Sequence, residues 1–261
     1  MAETTPLDRA IAVMAAKGTD AARLSFYGVL ADTELMLLLD AEPTDDAIAP
    51  RLQETDAGTC VVAFDLEERL ADFAGGDAQT ARLPGRVLAA LAAEQGMGIA
   101  LNPGGAPTSH IVPPDAVRWL AETLSEEPEE APERPVEALK PSLPPEALEA
   151  LGRALSRAPG LAAYALLTRV RYHGGREGHL LTVIDPRPGS EDALVRAVSE
   201  ALTFSGAGEA AATDVTFLAG DSPAAARLAK VALRLDVPEA PATRPAPAPP
   251  GSDPDKPPRL R

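Results

Sequence analysis

The residues of this chain equipped for chemistry fall into four small groups, and each has a structural explanation beside the chemical one. NPGGAPTSHIVPP (Asn102–Pro114) is the most specialised stretch. Asn, Pro and Gly supply the backbone conformations that turns require, and the same loop is shaped to cradle a ligand with Ser109 and His110 at its rim. Phosphate lacks its motif, since neither G-x-G-x-x-G nor G-K-[ST] occurs. Turn formation alone accounts for the cluster. Ser109 and His110 are neighbours in sequence, and neighbours on a strand point to opposite faces. A serine nucleophile needs a base and an orienting acid converging in space, and G-x-S-x-G is absent, so a serine hydrolase is not expected.

His173 and His179 bracket HGGREGH, and a hairpin there brings two imidazoles together with Asp185 in range. Zinc takes three or four ligands and the rest are missing, so no metal site is assigned. Cys60 lies in TCVVAF, a setting that suits a small buried hydrophobe. A reactive thiol needs an adjacent cation or a helix N-terminus. Asp65, Glu67 and Glu68 stand where a strand turns into a helix. Two carboxylates with pKa values split by burial do acid–base work, but carboxylates in a first helical turn also satisfy its free N–H groups and dipole. Asp65 reads as the N-cap of that helix. No catalytic residue and no cofactor is assigned.

The elements that position these groups follow from apolar spacing. Leu7, Ile11 and Met14 repeat at helical intervals between Pro6 and Gly18, a start and a stop. Asp20 reads as the cap of a second helix, with Leu24, Tyr27 and Leu30 inward. Glu34–Asp40 is an apolar run of strand length, and Ala49–Glu54 with Thr59–Asp65 flank Asp56-Ala57-Gly58 as a hairpin. Helices are expected over Leu66–Ala74, Pro84–Gln95 and Pro113–Leu124, and strands over Met97–Asn102 and His110–Val112. Further on, helices are expected over Pro145–Arg157, Glu191–Leu202 and Pro223–Leu235. Strands are expected over Ala162–Tyr172, His179–Asp185 and Asp214–Ala219.

Between Ser125 and Pro141 the composition changes to SEEPEEAPERP, acidic residues alternating with prolines, which reads as an extended linker. It divides the chain into domains at 4–124 and 142–237, with 238–261 a Pro- and Ala-rich tail expected to be disordered. The fold class is α/β to α+β. Each of the two small domains is a mixed sheet with packed helices, those of the second on one face of its sheet. With 45% hydrophobic residues and 3% aromatic, the cores are aliphatic and each aromatic position stands out.

The net charge of −15, with only Lys17, Lys140, Lys230 and Lys256 as lysines, makes nucleic acid and anionic membrane poor partners. A lone cysteine excludes an intramolecular disulfide framework. The first residues lack the basic-then-apolar order of a signal peptide, and no unbroken apolar run reaches the ~18 residues of a membrane span. The cytoplasm is the expected compartment.

Three stretches carry a family resemblance: DAARLSFYGVLADTELMLLL (Asp20–Leu39), VVAFDLEERLADF (Val61–Phe73) and GMGIALNPGGAPTSHIVPPDAVRWL (Gly96–Leu120). Arg23 before Phe26-Tyr27, the Phe-Asp-x-Glu-Glu-Arg turn, and Asn102-Pro103 followed by a Pro-rich helix start resemble the SseB N-terminal domain over roughly residues 4–124. Residues 141–237 resemble the SseB C-terminal domain more weakly, through the Ala162–Ala165 and Leu180–Asp185 strands. The resemblance implies a bacterial cytoplasmic protein linked to serine tolerance, and it carries no catalytic residues over.

The function expected from this reading is a non-catalytic binding or regulatory module with a protein partner. Its rivals are a cofactor-free enzyme on a small polar metabolite and a self-associating structural protein. The expected partner surface combines Arg23 and Phe26 with the loop residues Asn102, Pro103, Gly104 and Gly105. It rests on Arg and aromatics being enriched at binding hot spots. Phe26 and Tyr27 lie about 100° apart on a helix, so Tyr27 is expected to pack inward and Phe26 to lie nearer the surface.

Overall fold

The computed structural model describes residues 4–42, 48–76, 78–104, 109–126, 135–208 and 212–240. The greater part of the acidic Pro-rich stretch, the tail from residue 241, and Gly105 lie outside the described residues.

The first domain begins with two helices, α1 (Pro6–Lys17) and α2 (Asp20–Asp32). Each starts where a threonine accepts a backbone N–H. Thr5 does so within a full capping box with Asp8, and Thr19, rather than Asp20, caps α2. Gly18 ends α1 in the left-handed conformation. Then come β1 (Glu34–Leu38), β2 (Leu52–Thr55), β3 (Gly58–Phe64), α3 (Glu67–Ala74), β4 (Thr80–Pro84), α4 (Gly85–Glu94), β5 (Gly98–Leu101), β6 (His110–Val112) and α5 (Pro114–Ser125).

The strands join in the order β4-β1-β3-β5-β6, with β2 also on β3. Only β3 and β5 pair in parallel, while β1–β3, β1–β4, β2–β3 and β5–β6 are antiparallel. Leu35, Leu37, Val61, Ala63, Ile99 and Leu101 project to a large core with α1, α2, α4 and α5. Met36, Leu38, Cys60, Val62, Phe64 and Ala100 project to the other face, under Leu70 of α3. Covered on both faces, the central strands need no polar alternation, which is why Glu34–Asp40 is a continuous apolar run. Strand β4 was not anticipated. It is a half-exposed edge strand ending in proline, so its sequence lacks both the apolar run and the clean alternation of a strand.

The second domain contains β7 (Pro135–Leu139), α6 (Pro145–Ser156), β8 (Tyr164–Tyr172), β9 (Glu177–Ile184), α7 (Glu191–Thr203), β10 (Thr213–Leu218), α8 (Pro223–Leu228) and β11 (Leu233–Asp236). Its sheet runs β10-β9-β8-β11, and β7 pairs with β8 as well. The β8–β9 hairpin is antiparallel and β9–β10 parallel, crossing over through α7. Strands β11 and β7 share the other edge of β8, at Tyr164–Leu167 and Arg169–Tyr172.

Three expectations are corrected here. The end of the stretch read as linker is an edge strand, β7, held by hydrogen bonds that composition does not reveal. The helix expected over Pro223–Leu235 stops at Leu228, and the chain turns into β11. Leu228, Val231 and Leu235 fit a helical face, but Val231, Leu233 and Leu235 fit a strand equally, and the open edge of β8 decides. The helices are not on one face only. Helices α6 and α7 cover Ala165, Leu167, Leu181 and Val183, while Ala225 and Leu228 of α8 cover Leu166 and Ile184 on the opposite side.

The two domains pack against each other through α2 and α7. Phe204 of the second domain is buried within the first domain's core. Its ring lies edge-on to Trp119, centroids 6.3 Å apart. A Cβ on Gly28 would stand 2.9 Å from the Phe204 Cβ, so α2 carries glycine where the second domain presses closest. Polar contacts reinforce the seam. Arg86 donates to Asp32 at 2.8 Å and to Glu200 at 3.1 and 3.3 Å, and Arg157 pairs with Asp32 from the other side.

Candidate functional site

The expected surface of Arg23, Phe26 and the Asn102–Gly105 loop does not assemble as one patch. Phe26 is 0% exposed, packed on Tyr27 with ring centroids 5.3 Å apart and edge-on to His110 at 5.1 Å. Tyr27 is buried too and stacks at 5.3 Å on Trp119. Helix α2 packs on α1 and α4, and the rings of His110 and Trp119 reach it from β6 and α5, so an arc wide enough for both aromatics is covered. Arg23 is exposed and bonded to Asp20 at 2.8 Å. Asn102 and Pro103 are buried, whereas Gly104 is exposed over the Phe73 ring.

Asn102 is a structural joint. Its backbone has φ 47°, and its Oδ1 accepts the Asp65 N–H at 3.3 Å, tying the ends of β3 and β5 together. Its buried Nδ2 has no hydrogen-bond partner among the described residues.

Asp65 is not the cap of α3. That position belongs to Leu66, with no side-chain bond, because the Asp65 oxygens are engaged elsewhere. Thr5 donates to one at 2.7 Å and Arg69 to the other at 2.8 Å. Arg69 also grips Asp8 with both guanidinium nitrogens, at 2.9 and 2.6 Å. The Asp65 side chain is 2% exposed and that of Arg69 12%. Hydrogen bonding to Asp8, and then the charges of both carboxylates, hold the Arg69 pKa above its ordinary value against the cost of burial. The cluster locks the start of α1 to α3. Both carboxylates share one arginine, while Glu67 and Glu68 stand exposed in the first turn of α3.

The remaining groups are likewise engaged in packing. His110 is half-buried against Phe26, and burial pushes its pKa down. His179 is buried in β9, its Nε2 accepting the Ser142 N–H at 3.4 Å, and burial lowers its pKa as well. His173 is exposed in the hairpin turn. Asp185 accepts the Gly220 N–H at 2.8 Å. Cys60 is fully buried. Among the described residues no group of three or more His, Cys, Asp or Glu could hold a metal ion, and no helix is long and apolar enough to cross a membrane.

What the fold does open is a cleft of about 1250 Å³ between the domains. Helices α1 and α2 form one wall, α6 and α7 the other, and the interdomain contacts of Arg86, Asp32, Glu200 and Phe204 border it. In a chain of net charge −15, this cleft carries five arginines, Arg9, Arg86, Arg153, Arg157 and Arg196, against three carboxylates, Asp32, Asp65 and Glu200. Arg86 is held above its ordinary pKa because the bonds and charges of Glu200 and Asp32 outweigh its burial. Arg9 and Arg196 are exposed and make no ion pair among the described residues. The sequence pointed to none of this, because the arginines are scattered along the chain and converge only when the domains pack. They come from four separate helices, α1, α4, α6 with its C-terminal cap, and α7.

Two mixed α/β domains meet at an arginine-rich cleft, with their histidines and cysteine built into cores or turns. Residues 7–119, most of the first domain, match the family model of the SseB protein N-terminal domain. No curated protein and no solved structure matches the chain.

Proposed function

We propose that this chain is a non-catalytic binding module that engages a protein partner through the interdomain cleft, in the cytoplasm, in a process tied to serine tolerance. The single observation that carries the binding role is the convergence of five arginines in that cleft of an otherwise acidic protein. The link to serine tolerance and the compartment rest on what the SseB resemblance implies, and residues 7–119 match the model of the SseB N-terminal domain.

An enzyme would gather titratable groups of shifted pKa in a concave site. Here Tyr27, His110, Tyr172 and His179, whose pKa values shift, lie outside the cleft lining, and Arg86, which lines it, is shifted upward and stays a cation. That favours the binding role over the cofactor-free enzyme.

The test is affinity capture from native lysate with the wild-type chain and with Arg9→Glu/Arg196→Glu. Both should be folded with equal melting temperatures, and the partner retained by the wild type should be absent from the variant. Equal capture by both would place the surface elsewhere. A self-associating protein would instead retain only copies of itself and elute above its monomer mass.

A further inference from the structure

We infer that the occupant of the interdomain cleft is an acidic amphipathic helix presented by a protein partner, an inference that rests on the binding role proposed above. Three features of the cleft agree on this occupant: its dimensions, the spacing of its charges and its chemistry.

Helix α7 lines the cleft from Ala193 to Phe204, which at 1.5 Å per residue is about 16 Å, or three helical turns. A helix of that length, about 10 Å across, lies alongside α7 in a cleft of about 1250 Å³. Small-molecule sites are usually smaller, roughly 300–1,000 Å³, and enclose most of their ligand.

The charges are spaced for a helix. Arg153 of α6 and Arg157 at its C-terminal cap lie four residues apart and both line the cleft, Arg153 beside Glu149 at 3.9 Å and Arg157 paired with Asp32. Arg9 of α1 and Arg196 of α7 extend the positive charge to both walls. Residues four apart share one face of a helix, so glutamates at that interval on an incoming helix lie opposite Arg153 and Arg157 and add to the contacts these make with Glu149 and Asp32. Between the arginines the walls are small and apolar, with Ala10, Val13, Ala154 and Ala197. Val13 is 43% exposed in the present structure. Small side chains let a second helix approach closely, and an amphipathic segment laid in such a groove buries its apolar face while its acidic flanks reach the rim. Like charge across a binding surface is penalised and opposite charge favoured, which excludes a basic helix from this cleft.

The experiment uses the full chain and a defined probe, a fluorescein-labelled helical peptide of about 14 residues with Glu on its polar face and Leu and Ala on the other. The same peptide with Lys for Glu, and free citrate, are the controls. Fluorescence anisotropy should show saturable binding of the Glu peptide and none of the Lys peptide. Affinity should fall by about tenfold or more in Arg9→Glu/Arg196→Glu, as expected for charge reversal at complementary pairs. Val13→Asp should weaken binding too, with the melting temperature unchanged in both variants.

Absence of Glu-peptide binding, equal binding of both peptides, or binding untouched by the variants overturns the inference. Displacement of the Glu peptide by millimolar citrate at constant ionic strength also overturns it, in favour of a small-anion site. If native capture is lost in the arginine variant while the Glu peptide fails to bind, the binding role stands and only the helix is refuted.

Discussion

Phe204, the residue that closes α7 of the second domain, lies in the core of the first, its ring edge-on to Trp119 with centroids 6.3 Å apart. It reaches there across Gly28, where no side chain stands in the way. The seam between domains is therefore part hydrophobic core and part ion pairs, and each part predicts its own behaviour.

Replacing Phe204 by Ala should remove the apolar half of the seam. Truncating a buried phenylalanine costs about 3–5 kcal/mol, and the lower end applies here because the domains can shift to close the gap. Trp119 is the only tryptophan in the chain, so all tryptophan emission arises beside Phe204 and Tyr27. A red shift together with a lower urea midpoint is expected. Unchanged Trp119 emission would show that Phe204 does not hold the domains together.

Arg69 neutralises two carboxylates, Asp8 and Asp65. Removing one partner of a buried ionic cluster leaves charge uncompensated and costs about 3–5 kcal/mol. Arg69→Ala should accordingly lower the melting temperature far more than Arg23→Ala, whose ion pair with Asp20 is solvent-exposed and worth about 0.2–1 kcal/mol. Thermal denaturation of the two variants side by side makes the comparison.

His110 and His179 are both held below the ordinary histidine value of 6.5 by burial. Their unfolded forms take up a proton near that value while the folded forms do not. Below pH 6.5 the unfolded state thus binds more protons, and stability falls as pH drops toward the depressed folded values. Above 6.5 both states are neutral and the contribution is flat. His110→Leu should reduce the loss of melting temperature between pH 7.5 and 5.5, and an identical loss in the variant would remove His110 from the account.

Cys60 has no exposed surface and lies beside Gly98 on the neighbouring strand, where an added Cβ would stand 2.7 Å from its sulfur. A thiol reagent reaches it only when the sheet opens. Labelling should be slow in native buffer and rapid in denaturant, and fast stoichiometric labelling of the native chain would contradict this packing.

Much of the fold was legible because it depends on neighbours in sequence. Pro6 and Gly18 bound α1, Gly75 stops α3, and the Asp56-Ala57-Gly58 turn folds β2 onto β3, each through the backbone preferences of a few adjacent residues. The SseB resemblance belongs here too, since it rests on contiguous stretches, and the family match over 7–119 agrees with it.

Tertiary structure alone decided the rest. Strand β4 and strand β11 exist because β1 and β8 offered open edges, and a period-2 reading of Val231–Leu235 could not be preferred until that edge was present. Phe26 is buried because α1 and α4 pack on α2 and His110 of β6 closes over its ring, which no property of α2 announces. Asp65 abandons its helix for Arg69 and for Thr5, a residue 60 positions away. The cleft is the extreme case. Arg9, Arg86, Arg153, Arg157 and Arg196 are spread over nearly the whole folded length, and they become one surface only because two separately built domains are pressed together. Local sequence encodes which conformations a segment prefers. Which faces meet, and so which charges share a cleft, is settled by the burial of Phe204 and its neighbours across the seam.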